Sequence, residues 1–229
     1  MIIGICGFIG SGKDTVADYL VNFHEFRRES FANTLKDAVA AVFGWDRIML
    51  EGRTKEAREW REQVDFWWSN RLGRQITPRW VLQYWGTEVC RKGFHDDIWI
   101  ASLENKLRNS KDDVVISDCR FPNEIQSIKK AGGEIVWVKR GELPSWYNLA
   151  IDANLGKNLA FQELKRIGIH ASETAWVGTD FDHEIDNNGT IDDLYKQVKS
   201  LLISQEQDHP DAIERPLYVG LSDNSHILS

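Results

Sequence analysis

The sequence predicts an α/β protein built on a central parallel sheet, and three observations predict it. Short apolar runs alternate with segments of helical period, as they do when buried strands are covered by helices on both faces. A glycine-rich turn ending in lysine joins the first such run to the first helical segment. The composition is that of an ordinary globular chain: 229 residues, 42% hydrophobic, 28% charged, with 17 Gly and 5 Pro, enough for one core carrying a small insertion without disulfides or metals. The formal net charge of −7 argues against a nonspecific nucleic-acid or membrane-surface binder, both of which need a basic field.

The elements follow in order. Residues 2–6 (IIGIC) form a strand, and from Thr15 the residues Val16, Tyr19, Leu20 and Phe23 recur at helical spacing. Residues 31–43 repeat that spacing through Leu35, Val39 and Val42, and Gly44 stops the helix. Residues 53–68 read as one helix, with charges at four-residue spacing such as Glu51 with Lys55 and Arg58 with Glu62. Thr77-Pro78 is an N-cap followed by proline at the first helical position, opening a helix through Val81, Leu82 and Trp85. Residues 114–117 (VVIS) form a strand after the polar KDD, residues 124–131 a helix ended by Gly132-Gly133, and residues 135–138 the next strand. A last helix carries Leu194 and Val198, and the tail from residue 206 shows no period, which predicts a C-terminal arm.

The opening apolar run has no basic flank and stops at glycines, and no stretch approaches about eighteen apolar residues. The chain is therefore read as soluble and cytoplasmic. Its three cysteines, Cys6, Cys90 and Cys119, are spaced for neither a zinc site nor a disulfide framework and are read as reduced thiols.

The turn Gly7-Phe8-Ile9-Gly10-Ser11-Gly12-Lys13 fits G-x-x-x-x-G-K between a strand and a helix, the context in which that pattern binds phosphate. Backbone N–H groups of such a turn point at an anion, the helix N-terminus adds partial positive charge, and Lys13 supplies a point charge for the β and γ phosphates. Asp14 replaces the usual Ser or Thr, with a hydroxyl following at Thr15. A carboxylate at Asp14 suits Mg²⁺ or a base beside the transferred phosphate, or is simply an acid favoured at a helix start. Asp118 closes the buried run VVIS, at the sheet edge where open α/β folds bind ligands, and Arg120 two residues later is placed to meet charge on a transferring group. Glu124 opens the next helix, as a cap or as an orienting group for Arg120. Charge is uneven along the chain. Residues 46–92 carry ten basic and seven acidic side chains, residues 170–229 three basic and twelve acidic, which marks the middle segment as the place for an anion.

Four stretches occur together and in this order: GFIGSGKDT, residues 31–38 (FANTLKDA), residues 82–88 (LQYWGTE) and residues 117–124 (SDCRFPNE), accompanied by Trp99, HASE at 170–173 and NNGT at 187–190. In that combination the sequence resembles the phage-type deoxynucleoside monophosphate kinases over most of residues 1–200, including the Asp after the P-loop lysine. The resemblance implies a three-layer P-loop kinase fold. Residues 1–205 would form one domain, 45–92 its helical acceptor-binding insertion, 142–168 a lid that matches no motif, and 206–229 the arm. It implies transfer of the γ-phosphoryl of ATP to a deoxynucleoside 5′-monophosphate with Mg²⁺, giving ADP and the diphosphate.

For the site, the resemblance implies ATP at Gly10, Ser11, Gly12, Lys13, Asp14, Thr15 and Asn187, metal at Asp14 and Asp118, and catalysis by Lys13, Asp14, Asp118 and Arg120. The acceptor falls to Lys36, Arg79, Gly86, Thr87, Trp99, Asp118, Arg120 and Glu124. Their chemistry is suitable: Lys36 and Arg79 for a phosphate, Trp99 as a ring face or as core, Gly86 for close backbone approach beside the Thr87 hydroxyl. The partner is thus a small nucleotide, with neither nucleic acid nor membrane, and a homodimer is compatible with the family. Two other readings stand beside it: a P-loop kinase for another acceptor, such as dephospho-coenzyme A, and a nucleotide-binding assembly module, against which the guanine-reading N-K-x-D pattern is missing.

Overall fold

The computed structural model describes residues 1–108 and 110–208, with side chains to 203. They form two compact units, one of residues 1–30 and 104 onward, the other of residues 31–103.

The first unit holds a five-stranded, all-parallel sheet in the order β2-β3-β1-β4-β5. Its strands are β1 (Ile2–Cys6), β2 (Arg27–Glu29), β3 (Val114–Ile116), β4 (Glu134–Lys139) and β5 (His183–Asp186). Gly4 lies opposite Ile116 and Ile135, Glu29 opposite Ile116, and Lys139 opposite Asp186, so every strand delivers its carboxyl end to one edge. Three layers result. Ile3 and Ile5 of β1 point to a face where α1 (Lys13–His24) and α12 (Ile191–Asp208) bring Val16, Leu20, Leu194 and Val198 into the core. On the opposite face α8 (Pro122–Lys130) comes so near that a Cβ on Gly4 would lie 2.6 Å from Ile128 Cδ1. β2 (RRE) and β5 (HEID) are the two edge strands, and neither was expected from the sequence.

Helices α9 (Tyr147–Asn154) and α10 (Asn158–Arg166) pack together as a hairpin over most of residues 142–168, followed by the short α11 (Ala171–Thr174). Residues 206–208, expected in an arm, instead end α12; the rest of that segment lies outside the described residues.

The second unit is helical: α2 (Asn33–Phe43), α3 (Arg47–Glu51), α4 (Lys55–Glu62), α5 (Phe66–Leu72), α6 (Pro78–Gln83) and a π-helical segment at Tyr84–Arg91. From there α7 (Ile98–Leu107) leads the chain back toward β3. Two expectations are corrected. The single helix over 53–68 is broken between Glu62 and Phe66, because Asp65 caps a new helix by accepting the Trp68 amide at 2.9 Å and also takes the Trp45 indole N–H at 2.8 Å. The helix opened by Thr77, which does accept the Trp80 amide at 3.1 Å, widens into the π-helical segment at Tyr84 instead of continuing as α. The charge pairs differ too: Lys55 faces Glu59 at 3.7 Å, while Glu51 takes Lys36 at 2.8 Å and Arg47 at 2.5 Å, and Glu62 pairs with Arg79.

Candidate active site

The carboxyl edge of the sheet carries the turn between β1 and α1, the loop after β3 and the turn after β5. Gly12 stands at the N-cap of α1 with φ 102°, a left-handed conformation suited to glycine. A Cβ there would fall 2.2 Å from the Asn187 amide nitrogen. Asn187, from the turn after β5, donates that amide to the Ser11 carbonyl at 2.8 Å, so its side chain braces the phosphate-binding turn. The Ser11 hydroxyl is buried in the turn and has no hydrogen-bond partner among the described residues, an unmet polar group that an anion or its water would satisfy. Gly10 and Thr15 lie in the same turn and the helix start it opens.

Lys13 folds back over the turn, its ammonium donating to the carbonyls of Gly7 at 2.7 Å and Phe8 at 2.8 Å. Burial, then the nearby Arg120 guanidinium, lower its pKa to about 8 against the pull of Asp14 and Glu173. Lys13 is thus a partly desolvated cation that also feels the positive charge of Arg120, a strain that a polyanion relieves. Phe8 is held by rings on its far side, with centroids 4.8 Å from Trp176, 5.5 Å from Trp146 and 6.1 Å from Tyr147.

Asp14 lies exposed at the start of α1 in an ion pair with Arg28 of β2, which also donates to Asp18 at 2.7 Å and to the Ser117 hydroxyl at 2.8 Å. Nothing in the residue pattern singled out Arg28. Its side chain is only 17% exposed, so it is a built connection between the start of α1 and the end of β3. Asp118, just past β3, accepts the Ser30 hydroxyl at 2.5 Å. Arg120 donates to Glu173 of α11 at 2.8 Å. Glu124, buried in the first turn of α8, accepts the backbone N–H groups of Arg120 at 2.8 Å and Phe121 at 3.1 Å. It thereby shapes the backbone of the 118–121 loop, while Glu173 orients the Arg120 side chain. The hard oxygen donors Asp14 and Asp118 beside a phosphate turn suit Mg²⁺, which takes one or two carboxylates together with phosphate oxygens and water.

The other candidates lie in the second unit. Lys36 pairs with Glu51 and Arg79 with Glu62, and the electrostatic surroundings of Arg61 include Arg79, Glu62 and Glu51 together. Trp99 is buried and donates its indole N–H to the Gly86 carbonyl at 3.0 Å. Gly86 does permit a close approach, and what approaches is Leu35, whose Cδ2 would lie 2.7 Å from an added Cβ. Thr87 sits in the π-helical segment, a form of helix that recurs at functional sites.

A parallel sheet whose first strand runs into a Gly-x-x-x-x-Gly-Lys turn, with an acid and an arginine on the loop after the neighbouring strand, is a P-loop arrangement, the class of α/β fold that holds a nucleotide's phosphates at the carboxyl edge of its sheet. No protein-family model matches the chain. By sequence it is similar to two viral proteins named as deoxynucleotide or deoxynucleoside monophosphate kinases. It is 29% identical over 221 residues to a protein of Acanthamoeba polyphaga mimivirus named as a deoxynucleotide monophosphate kinase, covering 90% of this chain and 98% of that one. It is 27% identical over 180 residues to the deoxynucleoside-5′-monophosphate kinase of Escherichia phage T5, covering 57% of this chain and 72% of that one. Among solved structures, shikimate kinase from Aquifex aeolicus covers 92% of the chain and is itself covered to 99%, at 15% identity and a TM-score of 0.43.

Proposed function

We propose that the chain transfers the γ-phosphoryl group of ATP to a deoxynucleoside 5′-monophosphate, yielding ADP and the deoxynucleoside diphosphate. The observation that carries this reading is the turn itself, with Gly12 left-handed at the N-cap of α1, the Ser11 hydroxyl buried in the turn and the Lys13 ammonium folded back over it, an anion site suited to a nucleotide's terminal phosphates. The mimivirus and T5 relatives, named as deoxynucleotide and deoxynucleoside monophosphate kinases, supply the acceptor class.

Lys13 and the N–H groups of residues 10–15 hold the donor's terminal phosphates. Asn187 keeps the turn in shape through the Ser11 carbonyl. Arg120, aimed by Glu173, meets charge that develops during transfer. Mg²⁺ bound through Asp118 and the exposed end of Asp14 would screen the phosphate oxygens. Lys36 and Arg79 in the second unit serve the acceptor's phosphate, with residues 31–103 as the acceptor-binding unit and the α9–α10 hairpin as a lid. No helix among the described residues is long and apolar enough to cross a membrane. The reading places the enzyme in the cytoplasm, that of the host cell for a phage protein.

The test is an acceptor screen: ATP and Mg²⁺ with each deoxynucleoside monophosphate, dephospho-coenzyme A and no acceptor, following ADP release and the phosphorylated product. Turnover that depends on a deoxynucleoside monophosphate is the expected result. ADP release only with dephospho-coenzyme A, or equally fast without any acceptor, would overturn it.

A further inference from the structure

In the second unit Arg61 stands in the last turn of α4 with its guanidinium laid over the backbone of Gly52. A Cβ at that glycine would come within 2.2 Å of Arg61 Cζ. Burial of this kind strips water from a group that cannot shed its charge. Three other long cations of the unit have carboxylate partners. Lys36 has Glu51, Arg47 has Glu51 and Asp37, and Arg79 has Glu62. Among the described residues Arg61 has a single 3.5 Å contact, from Nη1 to the Leu50 carbonyl, and its buried Nε–H has no acceptor. Its charged neighbours are Arg79 and Arg58 on one side of the balance and Glu62 and Glu51 on the other, and both of those carboxylates are engaged by other cations. Buried guanidinium N–H groups are ordinarily satisfied.

We propose that Arg61 binds the acceptor's 5′-phosphate, acting with Arg79 as the phosphate clamp of the second unit. This rests on the kinase reading for the identity of the ligand, though the anion site itself does not. A dianionic phosphate supplies what the unit lacks: several acceptor oxygens, in the geometry that a guanidinium fork meets with two parallel hydrogen bonds. Arg79 joins by exchanging the exposed Glu62 for the incoming phosphate, while Lys36 remains anchored to Glu51. The clamp reads the phosphate alone, so it separates a nucleotide from its nucleoside.

Calorimetry on the full chain tests this, with a deoxynucleoside monophosphate that the unaltered protein accepts and with the same deoxynucleoside lacking phosphate. Arg61→Gln is expected to raise the Kd of the monophosphate about tenfold or more, as the loss of a charged hydrogen bond implies. It should leave the deoxynucleoside's Kd and the KM for ATP unchanged, raise the acceptor KM more than it lowers kcat, and be partly rescued in Arg61→Lys. Unchanged monophosphate binding in a folded Arg61→Gln protein, or an equal loss for the deoxynucleoside, would overturn the assignment. Should Arg61→Gln not fold, Arg61→Lys is read in its place, with a threefold or greater loss confined to the monophosphate as the supporting result. If no deoxynucleoside monophosphate is a substrate, the kinase reading fails and the anion site is tested apart from it. Inorganic phosphate is then titrated into Lys13→Ala protein, where the phosphate turn is silenced. Binding that Arg61→Gln abolishes upholds the site, and no binding overturns it.

Discussion

Glu173 of α11 receives a hydrogen bond from Arg120 at 2.8 Å across 53 residues of sequence, and so sets the direction of the guanidinium beside Lys13. A carboxylate in that place holds the arginine without itself meeting a phosphate. Glu173→Gln keeps the shape and weakens the hold. The expected result is a fall in kcat of about tenfold, the scale of one weakened charged hydrogen bond, with the KM for ATP nearly unchanged. Single-turnover measurements at saturating substrates check it, and an unchanged rate would make the pair a surface contact.

Lys13→Ala is expected to cost on the order of 10²-fold or more in turnover without harming the fold. A charged lysine with a pKa depressed to about 8 is a burden on the folded state: the protein is relieved of it as pH rises through 8 toward the ordinary lysine value, and the alanine variant is relieved at every pH. Thermal melts without nucleotide at pH 7 should therefore show the variant no less stable than the parent, whereas ATP should stabilise the parent alone. A variant that melts well below the parent would show that Lys13 supports the turn.

Both acids should bear on the dependence on Mg²⁺. Asp14 stands exposed at the start of α1 in an ion pair with Arg28, and Asp118 stands just past β3, accepting the Ser30 hydroxyl. Asp14→Asn and Asp118→Asn are each expected to raise the Mg²⁺ concentration for half-maximal rate severalfold, because a carboxylate attracts the hard cation. Titration of Mg²⁺ at fixed ATP checks this, and an unchanged Mg²⁺ dependence in both variants would leave the two as structural acids.

Glu51 governs how the second unit responds to acid. Burial, which would raise its pKa, is outweighed by Lys36 and Arg47, and the group is held down at about 2. The folded state therefore binds fewer protons than the unfolded chain between about pH 4.5 and 2. Glu51 accordingly contributes stability above pH 4.5 that is lost as pH falls through that window. Glu51→Gln should melt lower than the parent at pH 7, and the gap should close on acidification. A gap that stays constant from pH 7 to pH 2.5 would assign the effect to packing.

Much of this was legible because local pattern and tertiary role agreed. The IIGIC strand, the GFIGSGKD turn and the VVIS strand are each buried or glycine-bound for reasons visible within a few residues. The edge strands were not legible: RRE and HEID carry charges because each pairs on one side only, and polar edges are how sheets avoid pairing further. The widening of α6 into a π-helical segment at Tyr84 leaves little trace in hydrophobic spacing, and Asp65 reads as one more charge on a helix until its capping of Trp68 is seen. In the site, Lys13, Asp14, Asp118 and Arg120 stood out because they sit at strand ends. Arg28 and Glu173 did not, since their meaning lies in partners far along the chain. Arg61 was one charge among ten basic residues until the acceptors around it could be counted.

The insertion of residues 31–103 between β2 and β3 has a consequence for how the molecule is born. Arg27 pairs with Val114 and Glu29 with Ile116, so the N-terminal strands wait for their shared neighbour until the whole helical unit has left the ribosome. That unit closes on itself through contacts nearby in sequence, and such contacts form quickly. The parallel sheet must instead close long loops, which is slow and leaves apolar strand edges bare in the meantime. Synthesis thus runs in the order that suits this architecture: the helical unit is complete before the sheet, and the phosphate turn is set in its sheet only when β3, and then β4, arrive on either side of β1.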